Sequence, residues 1–264
     1  MSFNAEAIAE HIVKWLDDYS AKSGVSAFIV GVSGGIDSAV TASLCARTGR
    51  QTFLVNMPIH QATSELSRSD ELIAGLDSEF ENVSSLNVDL TGIYEGMKTA
   101  LPVVDKESRD LALANTRARL RMTTLYALAQ ERGALVVGTG NKIEDFGVGF
   151  YTKYGDGGVD ISPIADLVKS EVYSVGEVLG VPRSIMDAAP TDGLWGDARN
   201  DEDQIGASYP ELELAMKQAE DFASGKGTPA DLNGREAEVF KIYTRLNRIN
   251  QHKMQPIPVC TIPR

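Results

Sequence analysis

Apolar and polar positions follow two rhythms along this chain. Phe28-Ile29-Val30 is an unbroken aromatic and β-branched run, the pattern of a strand buried on both faces. Gln51–Asn56 and Asn82–Val88 read as further strands, and Ala134–Val137 as another buried one. Between these runs the spacing turns helical. Ile8, Ile12, Trp15, Leu16 and Tyr19 form a stripe within Phe3–Tyr19, and Val40, Leu44 and Cys45 form one in a helix that Gly49 ends. Leu66, Leu72 and Leu76 follow a Thr63 or Ser64 cap, and a further helix begins at Asp89-Leu90-Thr91 and stops before Pro102. Strands alternating with helices predict an α/β fold, a three-layer sandwich around a parallel, doubly wound sheet with right-handed crossovers. Ligands of such sheets bind at the carboxyl ends of the strands.

Ser108–Arg132 is the longest helical stretch and carries two apolar stripes. One runs Leu111, Ala114, Ala118, Met122, Leu125, Ala129, and the other Leu113, Leu120, Leu128. The sheet needs only one of them, so the second predicts another partner, either a helix of the same chain or a second subunit. Arg117 and Arg121, four residues apart, share a face, whereas Arg119 points nearly opposite. Solvated or ion-paired arginines are the ordinary reading of all three. Near the end, Val239, Ile242, Tyr243, Leu246 and Ile249 predict a helix, and prolines at 256, 258 and 263 forbid its continuation. The tail from Gln251 onward is expected to be mobile until a ligand arrives.

Chemistry concentrates where strands meet helices. After the first strand comes Gly31-Val32-Ser33-Gly34-Gly35-Ile36-Asp37-Ser38. Free N–H groups and the positive end of the helix dipole make such a strand–loop–helix junction an anion site. Ser33 and Ser38 add hydroxyls. Asp37 cannot face a phosphate unless a cation lies between them, and its carboxylate is a hard oxygen ligand suited to Mg2+. A plain helix cap also accounts for Asp and Ser there. No Gly-Lys-Ser/Thr follows, so this is not a Walker loop. It resembles the signature of the ATP pyrophosphatases, which implies that the loop holds departing pyrophosphate.

The Ala134–Val137 strand runs into Gly138-Thr139-Gly140-Asn141-Lys142-Ile143-Glu144-Asp145, a second loop at the same sheet edge. Thr139 offers a hydroxyl. Glu144 could complete a cation site with Asp37, or simply cap a helix. Phe150 to Ile164 contains Tyr154-Gly155-Asp156-Gly157-Gly158, too rich in glycine for a regular element and read as a functional loop. Lys153 lies between aromatics, and Asp160 sits where an acceptor for a ribose hydroxyl is useful.

Composition narrows the classes. With 264 residues, 43% hydrophobic and 23% charged, the chain reads as one globular domain, 1–264. A net charge of −12 disfavours nucleic acid as substrate, since such binding rests on basic patches. No apolar run reaches membrane-spanning length, and the polar, acidic first ten residues do not form a signal peptide. Only Cys45 and Cys260 are present, which argues against a disulfide framework. The expected location is the cytoplasm.

Taken in order, the motifs resemble those of the ammonia-dependent NAD synthetases over nearly the whole chain. They are Ser33-Gly34-Gly35-Ile36-Asp37-Ser38, Ala118-Arg119-Leu120-Arg121-Met122, Gly138-Thr139 with Glu144, Thr152 to Gly158 with Asp160, Lys169, Pro190-Thr191 and His252-Lys253. The resemblance implies an adenine nucleotide alpha-hydrolase-like fold and the conversion of deamido-NAD, ATP and ammonia into NAD, AMP and pyrophosphate. It implies that Gly31 to Ser38, Thr139, Lys169 and Thr191 hold ATP, with Asp37 and Glu144 on Mg2+. Arg119, Lys153, Asp160, His252 and Lys253 would hold deamido-NAD, and Asp156 would orient or deprotonate ammonium. It further implies a homodimer, and the length leaves no room for the glutaminase domain of the glutamine-dependent branch. Thr191-Asp192-Gly193-Leu194 stands where relatives often have Thr-Ala-Asp-Leu, and Met254 where they often have Arg. Another ATP pyrophosphatase amidating a small carboxylate or nucleotide, or a non-catalytic nucleotide sensor, are the rival readings.

Overall fold

The computed structural model describes residues 3–61, 63–102, 105–191 and 200–263. The first half runs α1 (Ala5–Ser23), β1 (Ala27–Gly31), α2 (Ile36–Ala46), β2 (Gln51–Asn56), α3 (Thr63–Glu79), β3 (Val83–Asn87), α4 (Thr91–Ala100) and α5 (Lys106–Arg132). Next come β4 (Ala134–Val136), a π-helical turn at Ile143–Val148, α6 (Lys169–Leu179) and α7 (Arg183–Met186). The chain then forms α8 (Asp201–Ile205), α9 (Tyr209–Ala223), a 3-10 turn at Pro229–Asp231 and α10 (Gly234–Met254).

The four strands form one sheet in the order β3-β2-β1-β4, and all pairings are parallel. Ala27 lies opposite Gln51 on one side and Ala134 on the other. Successive side chains point to opposite faces. Phe28 and Val30 enter a core built from α1, α2, α3 and α6, while Ile29 enters one built from α4 and α5. The expected three-layer α/β sandwich is therefore present. The chain walks outward from β1 to β3, then crosses back to place β4 on the other flank of β1. That reversal opens a crevice between the loops after β1 and β4, the place where such sheets take ligands.

Three expectations need correction. In α1 the buried line is Ala9, Ile12, Leu16 and Ser20, and Trp15 and Tyr19 remain 39% and 38% exposed, their rings 5.6 Å apart. The second α5 stripe is covered within the chain. Leu113 is buried with Leu90 and Tyr94, and Leu120 and Leu128 pack against the same cluster. The sheet, through Ile29, Val55 and Val136, supplies that cover together with Tyr94 of α4, and it is Leu111, from the other stripe, that stays 54% exposed. Finally, α10 does not stop near Ile249 but continues to Met254. Asn247 donates to the Gly147 carbonyl at 2.7 Å, Asn250 to that of Val148 at 2.8 Å, and Lys253 to that of Gly149 at 2.7 Å. These bonds fix the last turns, so His252 and Lys253 belong to a packed helix.

A third apolar cluster, with Ile143, Val148, Tyr209, Leu212, Val239 and Tyr243, joins the π-helical turn to α9 and α10. It ties the C-terminal helices to the crevice.

Candidate active site

The loop after β1 is shaped by its neighbours. Gly34 has φ +82, and a Cβ there would lie 2.6 Å from the Glu65 carbonyl oxygen. Both facts exclude other residues. Arg68 Nε donates to the Gly34 carbonyl at 3.0 Å, clamping the loop to α3. Ser38 Oγ donates to the Gly35 carbonyl at 3.0 Å and accepts the Ser33 N–H at 3.2 Å. No side chain caps the start of α2, so its first N–H groups stay available to a ligand.

At the floor of the crevice lies a compact charge cluster. Lys169 opens α6 with its side chain only 4% exposed. Its Nζ is 2.5 Å from Asp37 Oδ2 and 3.1 Å from Glu144 Oε1. Asn141 donates to Asp37 Oδ1 at 3.0 Å, while its own Oδ1 accepts the N–H groups of Ile143 and Glu144 at 3.1 and 3.2 Å. The Tyr209 hydroxyl donates to Glu144 Oε1 at 2.6 Å. Burial alone would lower the Lys169 pKa, but Asp37 and Glu144 together hold it above the ordinary lysine value. Burial raises the Glu144 carboxyl despite the pull of Lys169. The π-helical turn that carries Glu144 also carries Asp145, whose carboxyl burial pushes up to about 7, with Glu144 adding to the effect. Asp156 faces the open crevice, yet the surrounding walls strip enough solvent to raise it to about 6. Burial and the nearby Glu144 and Asp201 raise the Tyr209 hydroxyl, so it remains a donor.

Two joined cavities occupy the crevice. The smaller, about 120 Å³, is walled by Ser33 to Ser38, Arg68, Thr139, Lys169 and Thr191. The larger, about 240 Å³, runs between Gly31, Met57, Leu66, Arg121, Leu125 and Val137. Glu144 and Asp156 border both. Every residue expected to hold ATP, from Gly31 to Ser38 with Thr139, Lys169 and Thr191, therefore lines one cavity or the other. Asp192-Gly193-Leu194 lies outside the described residues.

The residues expected on deamido-NAD line neither cavity. Three of them meet at a rim: Arg119 Nε donates to the Lys153 carbonyl at 3.4 Å, and Lys153 Nζ donates to the His252 carbonyl. Lys253 holds the Gly149 and Tyr151 carbonyls at 2.7 and 2.8 Å, fixing the strand of chain that leads to Asp156. Asp160 is exposed and is engaged within the chain, accepting from Tyr126 at 2.9 Å and from the Val136 N–H at 2.8 Å.

Sequence reasoning passed over Arg68, Arg121, Asn141, Tyr209 and Asp145. Arg121 donates to the Met57 carbonyl at 3.1 Å and to Gln61 at 2.8 Å, closing the end of the larger cavity. Its spacing from Arg119 was the available signal, since opposite faces of one helix meet different partners. Arg117 lies 4.9 Å from the centroid of the Tyr94 ring. Asn141 sits inside the Gly-Thr-Gly-Asn run. Arg68 and Tyr209 left no pattern, because a polar residue on an amphipathic helix reads as solvated.

A parallel sheet with a glycine–serine loop at its switch point, opening on joined cavities floored by a buried lysine and carboxylates, defines a nucleotide-binding α/β protein. The sequence profile of NAD synthase matches residues 8–257. The NH(3)-dependent NAD(+) synthetase of Alkaliphilus metalliredigens is 39% identical over 94% of this chain and 96% of its own. That of Methanosarcina mazei is 35% identical over 96% and 97%. Among solved structures, the NMN synthetase of Francisella tularensis superposes with a TM-score of 0.84 at 31% identity, covering 99% of this chain and 100% of its own. The chain belongs to the NAD synthase family. Among the described residues no helix is long and apolar enough to cross a membrane.

Proposed function

We propose that this protein is an ammonia-dependent NAD synthetase, a ligase that uses ATP to amidate deamido-NAD and releases AMP and pyrophosphate. The observation that carries the reading is the pair of joined cavities, whose walls between them hold the loop after β1, Thr139, Lys169, Thr191 and Asp156. The smaller cavity suits the phosphates, and the apolar walls of the larger suit an adenosine.

A carboxylate is a poor acyl donor because its leaving group would be oxide. Attack of the nicotinate carboxylate on the α-phosphorus of ATP expels pyrophosphate and gives an acyl adenylate. Ammonia then attacks the activated carbonyl, and AMP departs. The chain's own work is alignment and charge neutralisation. N–H groups at the start of α2 and the Ser33 and Ser38 hydroxyls hold the β- and γ-phosphates. Lys169 meets the charge developing toward pyrophosphate. Asp156, ionised above its raised pKa, is placed to accept a proton from ammonium at the crevice mouth. Arg119, Lys153 and His252 at the rim, with Lys253 and Asp160 behind it, shape the side on which the dinucleotide enters.

Asp37 and Glu144 also fit Mg2+. Both are hard oxygen donors converging on one ammonium, at 2.5 and 3.1 Å. The described residues hold no cage of three or more metal-binding side chains, so phosphate oxygens and water would complete the sphere. Bound there, Mg2+ supplies neutralisation of phosphate charge. We assign the protein to the cytoplasm, in keeping with its two free cysteines. We also assign it a homodimeric state, with Ile93, Met97, Leu101 and Leu111 as the exposed apolar face that a second copy covers.

The Francisella neighbour favours a second reading, in which the acid amidated is the mononucleotide. The purified protein is given ATP, Mg2+ and ammonium with either deamido-NAD or nicotinic acid mononucleotide, and products are separated by chromatography. A kcat/KM at least tenfold higher for deamido-NAD is expected. The reverse preference replaces the first reading with the second, and turnover of neither removes both.

A further inference from the structure

Tyr209 opens α9 and is 3% exposed. Its ring packs with Ile143, Leu212 and Tyr243. Its hydroxyl points out of that cluster, 2.6 Å from Glu144 Oε1 and 3.4 Å from Asp201 Oδ2. A phenol has one proton to give, and the shorter contact takes it. Glu144 Oε1 thus accepts from both Tyr209 and Lys169. The ring face makes a separate contact. Lys169 Nζ lies 4.6 Å from its centroid, within the range of a cation–π attraction.

We propose that Tyr209 is a positioning residue for the phosphate-binding floor of the crevice. Its hydroxyl sets the orientation in which Glu144 meets a divalent cation on ATP, and its ring steadies the Lys169 ammonium between Asp37 and Glu144. This rests on the reading of Asp37 and Glu144 as cation ligands. Partners one shell removed from a metal orient its ligands, and their loss weakens metal binding by about 10- to 100-fold. Tyr209 reaches the floor from α9, so that helix is tied to a carboxylate that borders the phosphate-binding cavity.

Tyr209→Phe keeps the ring, its packing and the contact with Lys169, and deletes the bond to Glu144 together with the longer contact to Asp201. The probe is Mn2+, titrated by electron paramagnetic resonance into the full chain with a non-hydrolysable ATP analogue. Wild type, Tyr209→Phe, Glu144→Gln and the double variant are compared, with thermal melts as a check of folding. Tyr209→Phe is expected to weaken Mn2+ about tenfold. Affinity for the analogue without metal should be unchanged, and saturating Mg2+ should restore kcat. In the Glu144→Gln background the second substitution should add nothing. If Glu144→Gln weakens Mn2+ and Tyr209→Phe does not, the proposal is overturned. If Glu144→Gln leaves Mn2+ binding at the wild-type value, the cation reading itself fails. A lowered melting temperature with an unshifted metal requirement reduces Tyr209 to packing, and that also overturns the proposal.

Discussion

Replacing Lys169 by Met keeps the apolar stem and removes the ammonium that joins Asp37 to Glu144. Deleting one partner of a buried ion pair costs about 3–5 kcal/mol, because the remaining charge is left without compensation. The two carboxylates are 18% and 17% exposed, so crevice water reaches them in part. The lower end, about 3 kcal/mol, is therefore expected, and for a chain of this size that lowers Tm by roughly 6–12 °C. The pH dependence has a definite sign. The Lys169 pKa is raised in the folded state, so its contribution is complete at neutral pH and is lost only above the ordinary lysine value. In the variant, Glu144, already raised by burial, rises further, and protonation relieves the uncompensated charge. The gap between wild type and Lys169→Met should be widest near pH 8 and should narrow toward pH 5. Differential scanning calorimetry across that range measures it. A gap below 1 kcal/mol, or one constant with pH, would refute the coupling drawn between these three side chains.

Gly34→Ala forces a left-handed residue and sets a Cβ 2.6 Å from the Glu65 carbonyl. The expected outcome is a stability loss of about 2 kcal/mol in urea and a tenfold rise in the KM for ATP, and unchanged values would mean that the loop yields freely. Asp145→Asn tests the carboxyl raised to about 7. The wild type loses stability as pH climbs from the unfolded carboxylate pKa to that value, so the amide should be more stable at pH 8, by on the order of 4 kcal/mol, and nearly equal at pH 4. Equal Tm values at pH 8 would contradict it. Lys253→Ala frees the Gly149 and Tyr151 carbonyls; a several-fold rise in the KM for deamido-NAD and more AMP formed per NAD are expected, with ATP binding unchanged.

The sheet was legible because β1 and β4 are short apolar runs and β2 and β3 are strand-length segments between helical stripes, with β2 on the expected Gln51–Asn56. The glycine–serine loop after β1 was legible as a cavity wall for a related reason. Glycine and serine next to a buried strand have few other uses, and Ser33 to Ser38 do wall the smaller cavity. Periodicity, however, states only that a face is apolar, not what covers it. The Leu113, Leu120 and Leu128 stripe was therefore read as a face for a second subunit or another helix, whereas it packs within the chain against Ile29, Val55 and Val136 of the sheet and Tyr94 of α4. The last turns of α10 were misread because Asn247, Asn250 and Lys253 anchor them through polar bonds to distant carbonyls, which leave no hydrophobic trace. The same holds for Lys169. Its sequence neighbours give no sign that Asp37, 132 residues away, lies at 2.5 Å.

The mechanism turns on which phosphorus the nicotinate carboxylate attacks. Deamido-NAD labelled with ¹⁸O in that carboxylate is turned over with ATP, Mg2+ and ammonium, and the products are weighed by mass spectrometry. Attack at the α-phosphorus followed by aminolysis carries one labelled oxygen into each AMP, and none into pyrophosphate. Label appearing in inorganic phosphate, with ADP as the companion product, would place the attack at the γ-phosphorus and contradict the acyl adenylate.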